Sequence, residues 1–322
     1  MSAFSTEATT LLGKAPFHAE FLRIPTSTPG FSAFDAWLTE VTEWASGRAG
    51  PAWLGAFASG AIHAVAFHPP GSAPDLLVCG SLAPSRDRAG RQFPLAAAAS
   101  IHVSRGLVGK PHLLPFALES FWANATTLLV DVLNRPDTDP TAASLHLVAE
   151  ADIDEREAEE LYEQWSGELE LEDLYPLLGL SSADFSGILR LLQAAVSPFV
   201  STEGPDTLLT LRIPLGIAGG VAVCFWLDVL ARAVRWRSTI PSFFWSHDGA
   251  KGEALLHLGR PPKMTLAELW MPTGRYDPFC DLTQAPSPEV LQQTPDFTPE
   301  VAAVLQSPGA KVADLLRAFR QA

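Results

Sequence analysis

Apolar residues in the first third of the chain recur with two different periods. Between residues 34 and 46 they are spaced by three and four, which predicts an amphipathic helix with Phe34, Trp37, Leu38, Val41 and Trp44 on one face. A second helix is predicted over residues 51–57, because Pro51 can occupy the first turn of a helix. Strand-like runs follow at residues 61–67, 75–82 and 92–103. Short, turn-rich links separate these runs, which favours antiparallel neighbours.

The rest of the chain alternates between helical and strand-like patterns. Asp152 and Glu155 have the spacing of a capping box, ahead of a helix whose apolar face would carry Ile153, Leu161, Tyr162 and Trp165. Further helices are predicted over residues 183–196, 221–236 and 311–320, and further strands over residues 207–213, 242–246 and 253–258. The pattern predicts an α+β fold: a mostly antiparallel sheet flanked by helices, with an acidic helical segment in the middle and a short helical C-terminal tail.

Shifts in composition divide the chain into four segments. Residues 1–145 are predicted to form an N-terminal α+β domain, and residues 146–206 the acidic helical segment. Residues 207–285 carry the returning strand pattern of a C-terminal α+β part. Residues 286–322 form a proline-rich tail, in which helix is predicted over residues 311–320 alone.

The formal net charge of −14 is concentrated in one short window. Between Glu150 and Asp173 there are twelve acidic residues and one basic residue, so this window carries −11 of the −14. Such a charge run is typical of a solvated helix face, although it can also attract a basic partner. Nucleic acid is excluded as the expected partner, because phosphate binding requires a basic surface.

No segment has the pattern of an export signal or a membrane span. Residues 1–10 are polar, and the longest uncharged apolar stretch, residues 213–227, is short and interrupted by Pro214 and three glycines. The three cysteines are far apart and form no paired motif. The expected location is therefore the cytoplasm, without membrane insertion.

The residues that carry enzyme chemistry are not arranged in any recognisable motif. There is no Gly-x-Ser-x-Gly nucleophile elbow and no Gly-x-Gly-x-x-Gly loop, and residues 106–110 depart from a phosphate-binding loop, because Pro111 follows Lys110. The eight histidines are scattered without metal-ligand spacing. We therefore expect a protein that is not an enzyme and binds no cofactor and no metal.

One family signature does stand out in the first third of the chain. Residues 84–95 read Pro-Ser-Arg-Asp-Arg-Ala-Gly-Arg-Gln-Phe-Pro-Leu, preceded by related segments at residues 13–21, 34–38 and 52–54. In order and spacing they resemble the N-terminal domain of the TagF/ImpM family of type VI secretion system-associated proteins. Weaker similarity returns at residues 242–245 and 255–261. The chain departs from the family pattern at Ala19-Glu20 and at Ile62.

The resemblance implies a regulatory role rather than a chemical one. TagF-like proteins hold type VI secretion in check after translation, by binding a forkhead-associated scaffold protein of the same system. That scaffold, or another component of the system, is the expected partner; the oligomeric state is left open. Two alternatives remain: a structural or assembly subunit of the secretion baseplate, and a hydrolase whose site is assembled from distant residues.

The candidate partner-binding residues lie mainly in the signature. They are Arg86, Asp87, Arg88, Arg91, Lys14, Glu20 and Trp245. One interpretation is a rigid hairpin whose Arg-Asp pairs hold the loop, and the other is a partner-binding loop. We predict that Asp87 or Glu20 holds Arg88 or Arg91 internally, while at least one arginine faces solvent.

Overall fold

The computed structural model describes residues 3–24, 28–48, 50–145, 147, 153–200, 209–235, 240–246, 252–272 and 279–321. The strands are β1 (Phe4–Gly13), β2 (Leu22–Ile24), β3 (His63–Phe67), β4 (Leu76–Ala83), β5 (Leu95–Val103), β6 (Leu209–Gly216), β7 (Ser242–Ser246), β8 (Gly252–Leu258) and β9 (Phe279–Asp281). The helices are α1 (Pro29–Arg48), α2 (Gly50–Ala58), α3 (Arg105–Val108), α4 (Leu114–Ala117), α5 (Glu119–Asn134), α6 (Pro140–Leu145), α7 (Glu155–Glu168), α8 (Leu171–Leu177), α9 (Ser182–Val196), α10 (Gly220–Val234), α11 (Thr265–Trp270), α12 (Pro288–Gln293), α13 (Pro299–Leu305) and α14 (Val312–Gln321). Short 3₁₀ turns cover Pro111–Leu113 and Ser197–Phe199.

The nine strands of the described ranges join one sheet, in the order β2-β1-β5-β4-β3-β7-β8-β6-β9. Neighbouring strands are antiparallel, except for the parallel pair of β6 and β9. The predicted α+β fold with a mostly antiparallel sheet is therefore confirmed. Strands of the first and third predicted segments meet where β3 pairs with β7, with Ala66 opposite Phe243. The predicted segment boundaries themselves stay a prediction.

Helices cover both faces of the sheet. On one face α1, α2 and α11 bury an aromatic cluster in which Trp37 stacks on Phe244, with ring centroids 5.4 Å apart. On the other face, α5 packs against β4 and β5, and α10 packs against β6. Phe243 and Trp245 point to this second face, because side chains alternate along a strand. Three consecutive aromatics are thus buried by two separate layers of helix.

The acidic segment folds as predicted in outline but not in detail. Asp152 lies outside the described residues, and the N-cap of α7 is Asp154, which accepts a hydrogen bond from the Glu157 amide at 2.9 Å. The buried face of α7 carries Ala158, Tyr162 and Ser166, spaced by four. Leu161 was predicted on this face but is 43% exposed, because it lies one residue before Tyr162 and so is rotated by about 100°.

Some acids of this segment attach it to its neighbours. Glu155 accepts a hydrogen bond from the Ser104 hydroxyl at 2.7 Å, Glu159 pairs with Lys110 at 2.6 Å, and Glu170 pairs with Lys311 at 2.8 Å. The remaining described acids between residues 150 and 173 are exposed: Asp154, Glu157, Glu160, Glu163, Glu168, Glu172 and Asp173. The charge run therefore combines an outer solvated row with inner acids that dock α7 and α8.

Several elements were not predicted. Residues 4–13 form β1, and residues 119–134 form α5. The prediction of helix in the tail over residues 311–320 alone is wrong, because α12 and α13 precede α14, with Pro288 and Pro299 in their first turns. Proline favours a helix start there, since its missing N–H is not needed in the first turn.

The apolar stretch at residues 213–227 is divided between β6 and α10, as predicted. Among the described residues, no single helix is long and apolar enough to cross a membrane. Two consecutive helical stretches, Pro111–Ala117 and Glu119–Asn134, are together long and apolar enough by length and composition alone. They meet at an angle of 60°.

Candidate partner-binding surface

The predicted site residues gather at one edge of the sheet. β1, β4, β7 and β6 run in the same direction, because an antiparallel strand separates each from the next. Their carboxyl ends therefore meet at this edge. Lys14 follows β1, the signature loop follows β4, and Trp245 lies near the end of β7. The sheet topology thus places residues that are up to 231 positions apart in sequence along the same edge, although Trp245 on β7 lies four strands away from Lys14.

Asp87 is the centre of the signature loop. Its side chain is completely buried and accepts hydrogen bonds from the backbone amides of Ala89 (3.0 Å) and Arg91 (2.9 Å). The Arg91 guanidinium Nε donates to the same carboxylate at 2.6 Å, and Lys14 Nζ lies 3.3 Å from it. Gly90 completes the turn with φ of +82°, a conformation that glycine adopts without steric cost. The predicted internal pair is therefore Arg91 with Asp87.

These contacts also set the charge state of Asp87. Burial disfavours its carboxylate, but the hydrogen bonds from Arg91 and Lys14 outweigh burial and lower the pKa of Asp87 to about 2. The carboxylate therefore stays charged throughout the physiological pH range. Two cationic side chains and two amides are held by one fixed anion.

A second loop, residues 14–21, packs against the signature loop. The Arg88 amide donates to the His18 carbonyl at 3.0 Å, and Arg91 Nη2 donates to the Ala19 carbonyl at 3.1 Å. Phe21 meets Phe93 edge-to-face, with centroids 4.9 Å apart. Five predicted residues, Lys14, Glu20, Asp87, Arg88 and Arg91, are thus brought together. Glu20 is exposed, and within the described part of the chain it forms no ion pair with either arginine.

Three arginines line the outside of this pair of loops: Arg86, Arg88 and Arg91. We call them the arginine surface. Arg86 and Arg88 are exposed and, among the described residues, have no acidic partner within ion-pair distance. Arg91 is 64% exposed although Asp87 holds its Nε. Nearby Phe17 is 41% exposed and was missed by the sequence analysis, although it lies within the family segment at residues 13–21.

Trp245 is separate from the arginine surface. One strand, β3, lies between β4 and β7, which puts the two strands roughly 10 Å apart. Trp245 is only 8% exposed and meets Trp122 edge-to-face, with centroids 4.5 Å apart. The structure therefore places Trp245 in the wall of a cleft and not on an open surface.

Two clusters of buried charged side chains lie outside the arginine surface. Arg212 pairs with Glu268 at 2.9 Å, and Asp228 accepts from both Tyr162 (3.1 Å) and Arg232 (2.7 Å). The sequence analysis found neither group, because only the Asp228–Arg232 pair is local in sequence. Within the described ranges, no group of three or more His, Cys, Asp and Glu side chains is positioned to hold a metal ion.

We expect Asp87→Asn to loosen the signature loop. The uncharged amide cannot balance Arg91 and Lys14, so the melting temperature should fall by several degrees and the Ala89 and Arg91 amides should exchange faster with solvent. Because the folded pKa of Asp87 is lowered, its contribution is present above about pH 4 and is lost as the pH falls towards 2. The control is Asp131→Asn, which removes the partly exposed pair with Arg135. Equal melting temperatures for the two variants would contradict the role of Asp87.

Comparison with known families places the N-terminal part of this chain among proteins associated with type VI secretion. Residues 10–147 match the model of the TagF N-terminal domain, type VI secretion system-associated. Residues 10–147 therefore form a TagF N-terminal domain, and the resemblance found in the sequence is confirmed over this range. The match includes both loops of the arginine surface. No curated protein matches the chain.

The fold is shared with a solved structure over most of the chain. The crystal structure of PA0076 from Pseudomonas aeruginosa PAO1 matches with a TM-score of 0.50 and 16% sequence identity, covering 84% of this chain and 97% of that one. At this identity the likeness concerns the fold alone, since fold does not determine function.

Proposed function

We propose that this protein is a non-enzymatic regulator of a type VI secretion system, a post-translational repressor or adaptor that acts by binding another protein. The proposed partner is a forkhead-associated scaffold protein of the same system. The observation that carries the proposal is the pair of exposed arginines, Arg86 and Arg88, on a loop held rigid inside a TagF N-terminal domain.

The geometry of the loop favours binding. Asp87 and the carbonyls of residues 18 and 19 fix the backbone around Arg88 and Arg91, so little conformational entropy is lost when a partner binds. Arginine is enriched at protein interfaces, where its planar guanidinium can pair with two acceptors at once. A partner with carboxylate or phosphate groups fits this surface best.

The proposed absence of catalysis is supported by how the reactive side chains are used. The Asp87 carboxylate is saturated by structural hydrogen bonds. His63 and His257 are buried, and burial lowers the pKa of His63 to about 4 and that of His257 to about 3. Neither histidine is accessible as a general base at the surface.

The binding proposal predicts two classes of arginine variant. Arg86→Ala and Arg88→Ala combined should weaken binding to the purified scaffold by about tenfold or more at an unchanged melting temperature, because interface arginines are frequent hot spots. Arg91→Ala should instead lower the melting temperature, since it removes a ligand of Asp87. The matched control is Arg156→Ala, an 82% exposed arginine on α7. Titration calorimetry and thermal melting distinguish the classes.

A cellular measurement tests the direction of regulation. Raising the level of the protein should reduce effector release without lowering transcription of the secretion genes, and the Arg86/Arg88 double variant should fail to do so. Unchanged secretion with the wild-type protein would contradict the repressor role. Stable co-purification with baseplate components, unaffected by the arginine changes, would favour the structural alternative.

A further inference from the structure

An open apolar cleft lies at the same edge of the sheet, between α5 and the start of α10. Its volume is about 820 Å³. Trp122 and Trp245 form part of its wall, β3 contributes Ala64, and the turn from β6 into α10 contributes residues 217–221. At the rim, Ile217 is 58% exposed. The cleft is therefore an apolar surface within the helical layer that no described element covers.

Small residues keep the cleft open. Ala64 on β3, Ala123 on α5 and Gly220 at the start of α10 face it from three sides. A Cβ atom added at Gly220 would meet no other atom within 4 Å. Larger side chains at these positions would occupy the space, so the volume of the cleft follows directly from the choice of residues.

The polar groups of the cleft are already bonded, with one exception. Trp122 Nε1 donates to the Val65 carbonyl at 3.2 Å, and the Thr126 hydroxyl bonds that of Ser81 at 2.9 Å. Among the described residues that line the cleft, Glu119 carries the only charge. Its side chain is exposed and, within the described ranges, has no basic partner within ion-pair distance. The cleft thus combines an apolar wall with one unneutralised carboxylate.

We propose that this cleft binds a segment of a partner protein that carries bulky apolar side chains next to a lysine or arginine. The apolar side chains would bury against Trp122 and Trp245, and the cation would pair with Glu119. The volume lies in the range of about 300–1,000 Å³ that is typical of ligand clefts. A small molecule would require several converging polar groups, whereas a peptide needs only apolar anchors and charge complementarity.

The cleft and the arginine surface favour partners of opposite charge. Arg86 and Arg88 favour an acidic partner, whereas Glu119 favours a basic one. Arg86 and Arg88 are not among the residues that line the cleft, so each surface can be altered without changing the other. The cleft therefore adds a second docking site to the proposed regulator. If the cleft binds no peptide, the proposed interaction with the scaffold is not affected.

The test fills the cleft from α5. Ala123→Arg would place a long side chain across the opening and a cation four residues after Glu119, a spacing that stabilises a helix. The matched control is Asn124→Arg, which adds the same charge to the same helix on a neighbouring exposed position outside the cleft. The probes are a fluorescent Leu-Leu-Lys repeat peptide and its counterpart with Glu in place of Lys, titrated by anisotropy.

We expect the lysine peptide to bind the wild-type protein saturably, and Ala123→Arg to weaken it by about tenfold or more while Asn124→Arg changes little. Gly220→Leu, which fills the cleft without altering charge, should have the same effect at an unchanged melting temperature. Scaffold binding should be equal in all variants.

Three results would overturn the proposal. They are the absence of saturable binding, equal weakening by both arginine variants, and equal affinity for the glutamate peptide. A wild-type dimer that sedimentation shows to dissociate in Ala123→Arg would assign the cleft to a second copy of the chain instead.

Discussion

Lowering the pH from 7 to about 4 should strongly destabilise the protein, because two histidines are buried in their neutral form. Burial lowers the pKa of His63 to about 4, partly offset by its hydrogen bond to the Ala61 carbonyl, and burial lowers that of His257 to about 3. In the unfolded chain both would titrate near 6.5, so the unfolded state binds more protons below that pH. Stability is therefore complete above about pH 6.5 and declines as the pH falls.

The expected size of this effect is large. One pKa unit corresponds to about 1.4 kcal/mol, so the two histidines together account for on the order of 5 kcal/mol between pH 7 and pH 4. That is comparable to the whole unfolding free energy of many domains, which is about 5–15 kcal/mol. Urea unfolding followed by tryptophan fluorescence at several pH values measures it directly.

The surroundings of His257 explain why no negative charge would neutralise its protonated form. The Thr265 hydroxyl donates to the Pro262 carbonyl at 2.6 Å, so its oxygen accepts from His257 Nε2 at 3.5 Å. On the other side, Nδ1 lies 3.0 Å from the Thr210 hydroxyl. Both ring nitrogens therefore face neutral hydroxyl groups, and a second proton would be buried without a counter-ion.

A histidine variant distinguishes the contribution of the histidines to the pH dependence of stability from that of the carboxylates. His63→Phe should flatten the pH dependence between pH 7 and 4, because the folded state then no longer buries a neutral imidazole that would take up a proton on unfolding. Identical pH profiles for wild type and His63→Phe would show that His63 does not contribute to acid lability.

Among single changes to the buried charged side chains, Glu268→Met should lower the unfolding free energy most. Glu268 is 2% exposed and pairs with Arg212, whose side chain is 6% exposed, at 2.9 Å. Removing Glu268 leaves Arg212 with two longer contacts to partly exposed carboxylates, Glu253 at 3.6 Å and Asp281 at 3.8 Å. Breaking a buried pair in this way costs about 3–5 kcal/mol. The change keeps the side-chain volume nearly constant, so charge rather than packing dominates the expected loss in unfolding free energy.

The chain offers a matched control on the same arginine. Glu253 lies 3.6 Å from Arg212 Nε, but its side chain is 45% exposed. Partial burial raises the pKa of Glu253, although the charge of Arg212 opposes this shift. Glu253→Met should therefore cost less than about 1 kcal/mol, as solvated pairs do. If both methionine variants lost the same stability in denaturant titrations, Arg212 would not depend on Glu268 in particular.

Local patterns encoded much of the fold. The helix α1 follows from its apolar spacing of three and four. The strands β3, β4 and β5 follow from short apolar runs between turn-rich links, and β4 and β5 are buried on both faces of the sheet. The polar strand β1 escaped the same reasoning. Its first half is exposed at Ser5, Thr6 and Glu7, so it shows no apolar alternation, and pairing with β5 defines it instead.

The site shows the same division. The Asp87–Arg91 pair and the exposed arginines could be anticipated, because they lie within one turn-forming segment. The burial of Trp245 could not be anticipated, since it depends on contact with Trp122 of α5, which is 123 positions away in sequence. The Arg212–Glu268 pair joins residues 56 positions apart, and no local spacing marks it.

The sequence alone therefore determined the α+β class, the family signature, the concentration of negative charge and the turn chemistry of the arginine surface. These properties depend on residues that are neighbours along the chain. The tertiary structure alone decided the order of the strands, the depth of Trp245 and the histidines, and the cleft beside Glu119. These depend on which distant segments pair across the sheet, and hydrophobic periodicity specifies that a strand has a buried face without specifying its neighbour.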